Sequence, residues 1–222
     1  TEVAPLRNVP VRDGRLLPLD PWKAIANGAV KDITYLHGVN KDEMNFFLVG
    51  MGGPEPFNAW AADRKAKKFA QMTEDEIALV NSYLADQQGE NWEPDSRLFS
   101  QSWFLAPCMR MSENQTNAGG KSYTYFYRVE ASEPKLKAAH GEELPIVFCH
   151  PDQTDIDPTF CKTMRKMWVQ FAKTGKPSLS ADLSPDGKAK EWPLYDLKDK
   201  QVMVFDEFNI HPEKESQRKI VD

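Results

Sequence analysis

Phe160, Met164, Trp168 and Phe171 recur at i, i+4, i+8 and i+11, a single apolar stripe of helical period that marks a core-facing helix. Gly175 and then Pro177 end it, since glycine accepts the left-handed cap and proline cannot continue the helix. Elsewhere the pattern changes to that of strands. Ser122 to Val129, S-Y-T-Y-F-Y-R-V, is dense in aromatic and β-branched residues and is the clearest strand of the chain. Ile33 to Val39 predicts a shorter strand that runs out into the polar N-K-D-E, and Gln201 to Phe205 predicts a last short one. Ala59 to Met72 is helical by composition. Thr73 with Glu76 forms a capping box ahead of Ile77, Val80 and Leu84 at helical spacing, so these two segments are expected to make an αα pair. Ser96 to Ser112 predicts a largely buried helix with Pro107 as a kink or break. Gly119-Gly120 marks a turn, as do P-V-R-D-G at Pro10 to Gly14 and L-D-P-W at Leu19 to Trp22.

Strands alternating with helices indicate an α/β layer fold, a mostly parallel central sheet flanked by helices. With no repeat, heptad run or Gly/Ser linker in the chain, one domain over residues 1–222 is the simplest reading. Yet only two strands are convincing as central ones, and strands apolar on both faces need neighbours and helices on each side. The expectation is part of a sheet, completed by another polypeptide or by residues outside these.

The 222 residues are 41% hydrophobic and 27% charged, a globular composition. A net charge of -5 argues against nucleic acid or an anionic membrane as partner, because both reward a basic surface. The basic run Asp63 to Lys68 reads as a solvated helix face. No apolar run approaches the roughly 18 residues of a membrane span. The opening T-E-V-A-P-L-R-N-V-P has neither an initiator methionine nor a signal-like apolar stretch, which suggests a processed or cut end. Cys108, Cys149 and Cys161 are an odd count without a C-x-x-C pair. They read as buried or free thiols, with a Cys149–Cys161 disulfide as the minority reading. The intervening segment lacks zinc or calcium spacing. Asn114-Gln-Thr116 is a formal glycosylation sequon.

Chemistry collects where strands end. In open α/β sheets functional groups gather at the carboxyl ends of strands, and both G-V-N-K-D-E (Gly38 to Glu43) and A-A-H-G (Ala138 to Gly141) fall there. A carboxylate that accepts from Nδ1–H of a histidine fixes its tautomer and favours the imidazolium formed in a reaction. His140 is the histidine so placed, and Glu43 or Asp42 the acid. His37, inside a strand, reads as packed, and His150 and His211 have no supporting context. Phe46, Phe47 and Trp103 are candidates for a pocket or for the core.

Several segments in series carry a resemblance: P-V-R-D-G, G-V-N-K-D-E-M-N-F-F from Gly38, A-H-G-E-E-L-P-I-V-F from Ala139, M-W-V-Q-F-A-K-T-G-K-P from Met167, and W-P-L-Y at Trp192. In order and spacing the chain resembles the C-terminal portion of the type-B carboxylesterases, the cholinesterase-like and para-nitrobenzyl-esterase-like group of the α/β-hydrolase fold. That resemblance implies serine acyl-enzyme chemistry on a small-molecule ester without a cofactor. It maps the acid of a Ser-Glu-His triad onto Glu43, the general base onto His140, and a loop-supporting acid onto Glu143 rather than Glu142. It also exposes a departure, because neither G-x-S-x-G nor an H-G-G-G-like oxyanion segment occurs here. The serine and the oxyanion donors are therefore expected on a separate N-terminal chain, and this chain is expected to be inert alone. The alternative is a non-catalytic binding or adhesion module on the same fold, which has no chemical need for Glu43 and His140.

Overall fold

A computed structural model describes residues 10–148, 156–207 and 209–217. Four strands form one sheet in the order β1 (Thr34–Asn40), β2 (Lys121–Tyr127), β3 (Val202–Asp206) and β4 (Asn209–Glu213). The first three run parallel and β4 turns back antiparallel to β3. Among the described residues eight α-helices accompany them: α1 (Pro21–Ala26), α2 (Met44–Gly50), α3 (Pro54–Phe69), α4 (Glu74–Ala85), α5 (Glu93–Ser100), α6 (Ala106–Asn117), α7 (Leu144–Val147) and α8 (Pro158–Thr174). The mostly parallel open sheet flanked by helices is the architecture that the alternating pattern implies.

The sheet is central because β2 is buried on both faces, with Ser122 and Thr124 hydrogen-bonded towards α6. Ser122 to Tyr127 are all buried, and so are the first four residues of β3, which requires helices above and below. On one side α8 lays Phe160, Met164 and Met167 against Tyr125, Tyr127 and Phe205, with Trp192 filling the space beside them. On the other, α6 brings Cys108 against Val39, Phe126, Val202 and Val204. Gly175 closes α8 in the left-handed region at φ 72°, the cap expected of it. A third cluster, Met44, Leu48, Phe57, Ala61, Trp92 and Phe99, joins α2, α3 and α5 next to the carboxyl ends of the strands.

Three expectations change. The segment from 96 to 112 is neither a single α-helix nor largely buried: α5 passes through a π-helical turn, Gln101–Leu105, into α6. Pro107 sits at the start of α6, where a missing N–H is tolerated. The capping box of Thr73 and Glu76 is formed, but α4 rests on α5 more than on α3 and buries none of its residues, so the αα pair is loose. β4 is an added strand, with Pro212 tolerated because it lies on the sheet edge. Cys149 and His150 lie outside the described residues.

Candidate active site

The carboxyl ends of β1 and β2 carry the two loops of interest. β1 delivers Asn40, after which Lys41 and Asp42 turn the chain into α2, with Glu43 at its N-terminal boundary. The second loop follows β2. It is pinned first by Lys137, which adopts φ 51°, an uncommon conformation for a side chain with a Cβ. Lys137 Nζ lies 2.6 Å from Glu93 Oε1 and 5.8 Å from the Trp92 ring centre. Next, the backbone N–H of Asp42 donates to the Ala138 carbonyl at 2.9 Å, which ties the two loops together. Gly141, at φ 85°, then reverses the chain immediately after His140, a turn that glycine makes without steric cost.

These restraints bring His140 Nδ1 to 2.6 Å from Glu43 Oε2. The other oxygen of Glu43, Oε1, accepts the Asn40 backbone N–H at 2.8 Å. Asp42 is also buried, but its carboxylate faces the Ala138 N–H at 3.4 Å, so Glu43 is the acid that meets the imidazole. Burial pushes the Glu43 carboxyl above its ordinary value, against the pull of the Asn40 N–H and of His140. The imidazole side chain is 48% exposed against 6% for the carboxylate. The pair is thus a buried acid holding a surface histidine, and with Nδ1 engaged, Nε2 is the nitrogen left for chemistry.

Around the ring stand Phe46, Phe47 and Phe104, with centres 6.0, 5.7 and 5.3 Å from the imidazole. Two of these were pocket candidates from sequence; Phe104 was not, because its approach depends on the π-helical turn. Trp103, the third candidate, packs instead with Trp60 and Phe99. A cavity of about 510 Å³ adjoins His140, with Phe46, Glu130, Glu142, Leu144 and Glu207 among its walls. Glu143 points away from that cavity: Oε2 accepts from the Asn40 amide at 2.6 Å and Oε1 from the Tyr125 hydroxyl at 3.3 Å. His37 is held between α6 and β2, and His211 lies on β4, 3.5 Å from Glu213. Among the described residues no helix is long and apolar enough to cross a membrane.

A strand-end carboxylate oriented on a strand-end histidine occurs in many hydrolases, and comparison with known proteins narrows the choice. The model of the carboxylesterase family matches residues 2–219. The chain belongs to the carboxylesterase family. Carboxylesterase 1E of Mus musculus is 27% identical over 215 residues, covering 87% of this chain and 37% of its own. The para-nitrobenzyl esterase of Bacillus subtilis is 26% identical over 226 residues, covering 95% and 42%. Among solved structures, the Geobacillus stearothermophilus carboxylesterase EST55 superposes with a TM-score of 0.71 at 26% identity, over 96% of this chain and 45% of that one. The chain therefore spans less than half the length of these family members.

Proposed function

We propose that residues 1–222 are the C-terminal part of one α/β-hydrolase domain that hydrolyses carboxylic esters, with Glu43 as acid and His140 as general base of a Ser-Glu-His triad. The observation that carries this reading is the 2.6 Å contact between His140 Nδ1 and Glu43 Oε2 on loops that follow adjacent parallel strands. The serine and the oxyanion donors come from a separate N-terminal chain. Two features support a serine outside these residues: the 222 residues contain no G-x-S-x-G, and β1 pairs with β2 on one side only among the described residues.

In this reading His140 Nε2 takes the proton of the serine hydroxyl as its oxygen bonds to the ester carbonyl carbon. The imidazolium then gives that proton to the departing alcohol oxygen as the C–O bond breaks, which leaves an acyl-serine. Water adds to the acyl carbon with His140 again as base, and the serine oxygen leaves with the returned proton. Glu43 stays ionised throughout and holds the ring. Oxyanion donors, worth about 10²–10³ in rate each, belong to the other chain.

The test is fluorophosphonate labelling of the natively purified protein, followed by intact mass. Modification of a serine on a companion polypeptide is expected. A serine labelled on the same continuous polypeptide as His140 would overturn the two-chain division and leave the triad standing. A folded protein that never labels would overturn the hydrolase reading in favour of a binding module.

A further inference from the structure

Asn40 ends β1 and is buried, and its backbone N–H and side-chain NH2 are directed at the two loops, while Oδ1 is buried without a hydrogen-bond partner. Its backbone N–H occupies Glu43 Oε1 at 2.8 Å, which leaves Oε2 for His140. Its side-chain amide donates to the Ala139 carbonyl at 2.7 Å and to Glu143 Oε2 at 2.6 Å. Both recipients are acceptors only, so the amide orientation is determined: the flipped form would set Oδ1 against two oxygens. A single residue thus touches the acid, the peptide just ahead of the histidine and a second carboxylate.

We propose that Asn40 is the positioning residue that registers the His140 loop against Glu43, an assignment that rests on the triad reading above. A second fastening lies at Ala138, whose carbonyl accepts the Asp42 N–H and whose N–H faces the Asp42 carboxylate. The Asn40 amide extends that fastening one residue further, to the Ala139 peptide that joins His140. Glu143 acts as the far anchor, itself held by the Tyr125 hydroxyl. Asn40 does not line the cavity beside His140, so its loss is felt in the alignment of the base and not in substrate binding. A misplacement of about 1 Å at such a site costs on the order of 10²-fold in rate.

The charged groups around Asn40 and His140 are Glu43, Asp42, Glu142, Glu143 and Lys41, with Glu130 and Glu207 across the cavity from the imidazole, Lys137 beside Asp42 and the Tyr125 hydroxyl facing Glu143. Asn40→Asp keeps the shape but withdraws both donors and sets a carboxyl against Glu143 Oε2, so the two titrate as one coupled pair. Where that pair is fully ionised the added negative charge favours the imidazolium, and the base is freed of its proton at higher pH.

The experiment measures kcat, KM and the pH dependence of kcat/KM in the assembled protein for Asn40→Ala, Asn40→Asp, Glu143→Gln and His140→Ala. Asn40→Ala is expected to lower kcat by about 10–100-fold with KM changed by less than about twofold. Asn40→Asp is expected to move the acid limb to higher pH. Asn40→Ala combined with Glu143→Gln is expected to be little worse than Asn40→Ala alone, because both remove one link. Wild-type kcat and an unmoved acid limb in both Asn40 variants, with His140→Ala inactive, would overturn the assignment and spare the triad. Activity retained in His140→Ala would overturn the triad itself. Should Asn40→Ala fail to assemble, the acid limb of the near-isosteric Asn40→Asp decides alone.

Discussion

His140 Nδ1 and Glu43 Oε2 meet at 2.6 Å across 97 residues of chain, and the two partners live in different media, the carboxylate inside and the imidazole at the surface. That difference suits the general-base role proposed for His140, in which the imidazole must reach an incoming group while its orienting acid is kept from water. It also has a cost, because a buried carboxylate is held ionised against desolvation. Function and stability therefore pull in opposite directions at Glu43.

Glu43→Gln separates them. The amide cannot favour the imidazolium or fix its tautomer, so kcat is expected to fall by about 10³–10⁴-fold. For stability the sign is set by the direction of the Glu43 shift. Burial raises its folded-state pKa, so the folded protein binds the extra proton, and stability falls as pH rises from the ordinary carboxyl range through the raised value. Glutamine removes that loss. Urea unfolding of the variant is expected to be flatter through this window and its midpoint at pH 7 higher than that of the wild type; a lower midpoint at pH 7 would show that the hydrogen bonds outweigh the desolvation.

The same two loops show what the sequence makes legible. Glu43 and His140 stand in short motifs at strand ends, and the β2 strand is recognisable because its aromatic and β-branched run is buried on both faces. β4 is not recognisable: N-I-H-P-E has one β-branched residue and a proline, and it becomes a strand through its register with β3, where Ile210 faces Phe205. The π-helical turn is equally silent, since W-F-L-A-P carries no local mark of a widened turn. The support of Glu143 by Tyr125 depends on β1 and β2 being adjacent, with Gly38 opposite Tyr125, and pairing between distant segments is not written in either one.

Gly38 is where that pairing is most exacting. A Cβ built there would lie 2.3 Å from Tyr125 Cγ and 2.4 Å from the Tyr125 carbonyl oxygen, and the backbone oxygen cannot swing aside as a side chain can. Gly38→Ala is expected to destabilise the protein by about 2–3 kcal/mol and to shift the Tyr125 hydroxyl from Glu143. Urea unfolding reads the first effect. Loss of kcat exceeding that of Tyr125→Phe reads the second, and wild-type stability in Gly38→Ala would contradict the close strand approach.

Phe104 meets the His140 ring from within the π-helical turn Gln101–Leu105. Phe104→Leu keeps most of the apolar volume and removes the ring face from the imidazole. Stability is expected to change by less than about 1.5 kcal/mol, while kcat falls by about tenfold through a less confined base. A kcat within twofold of wild type would show that the other restraints suffice.

His37 supplies the opposite linkage to Glu43. Its Nε2 lies 2.9 Å from both Ser122 Oγ and Ser112 Oγ, and its Nδ1 3.4 Å from Cys108 Sγ, so neutral partners surround it on α6 and β2. Burial lowers its pKa from 6.5 to about 4. In that window the unfolded chain binds the proton and the folded protein does not. Stability therefore declines as pH falls from 6.5 towards 4, by about 3 kcal/mol at most. His37→Gln, which cannot titrate, is expected to lose stability at neutral pH through imperfect hydrogen bonding but to show a shallower decline in urea midpoint between pH 6.5 and 4.5. An equally steep decline in the variant would place the acid sensitivity on other groups. Because no hydrogen bond joins His37 to Glu43 or His140, the acid limb of kcat/KM should stay where it is in this variant, which separates acid unfolding from protonation of the base proposed at His140.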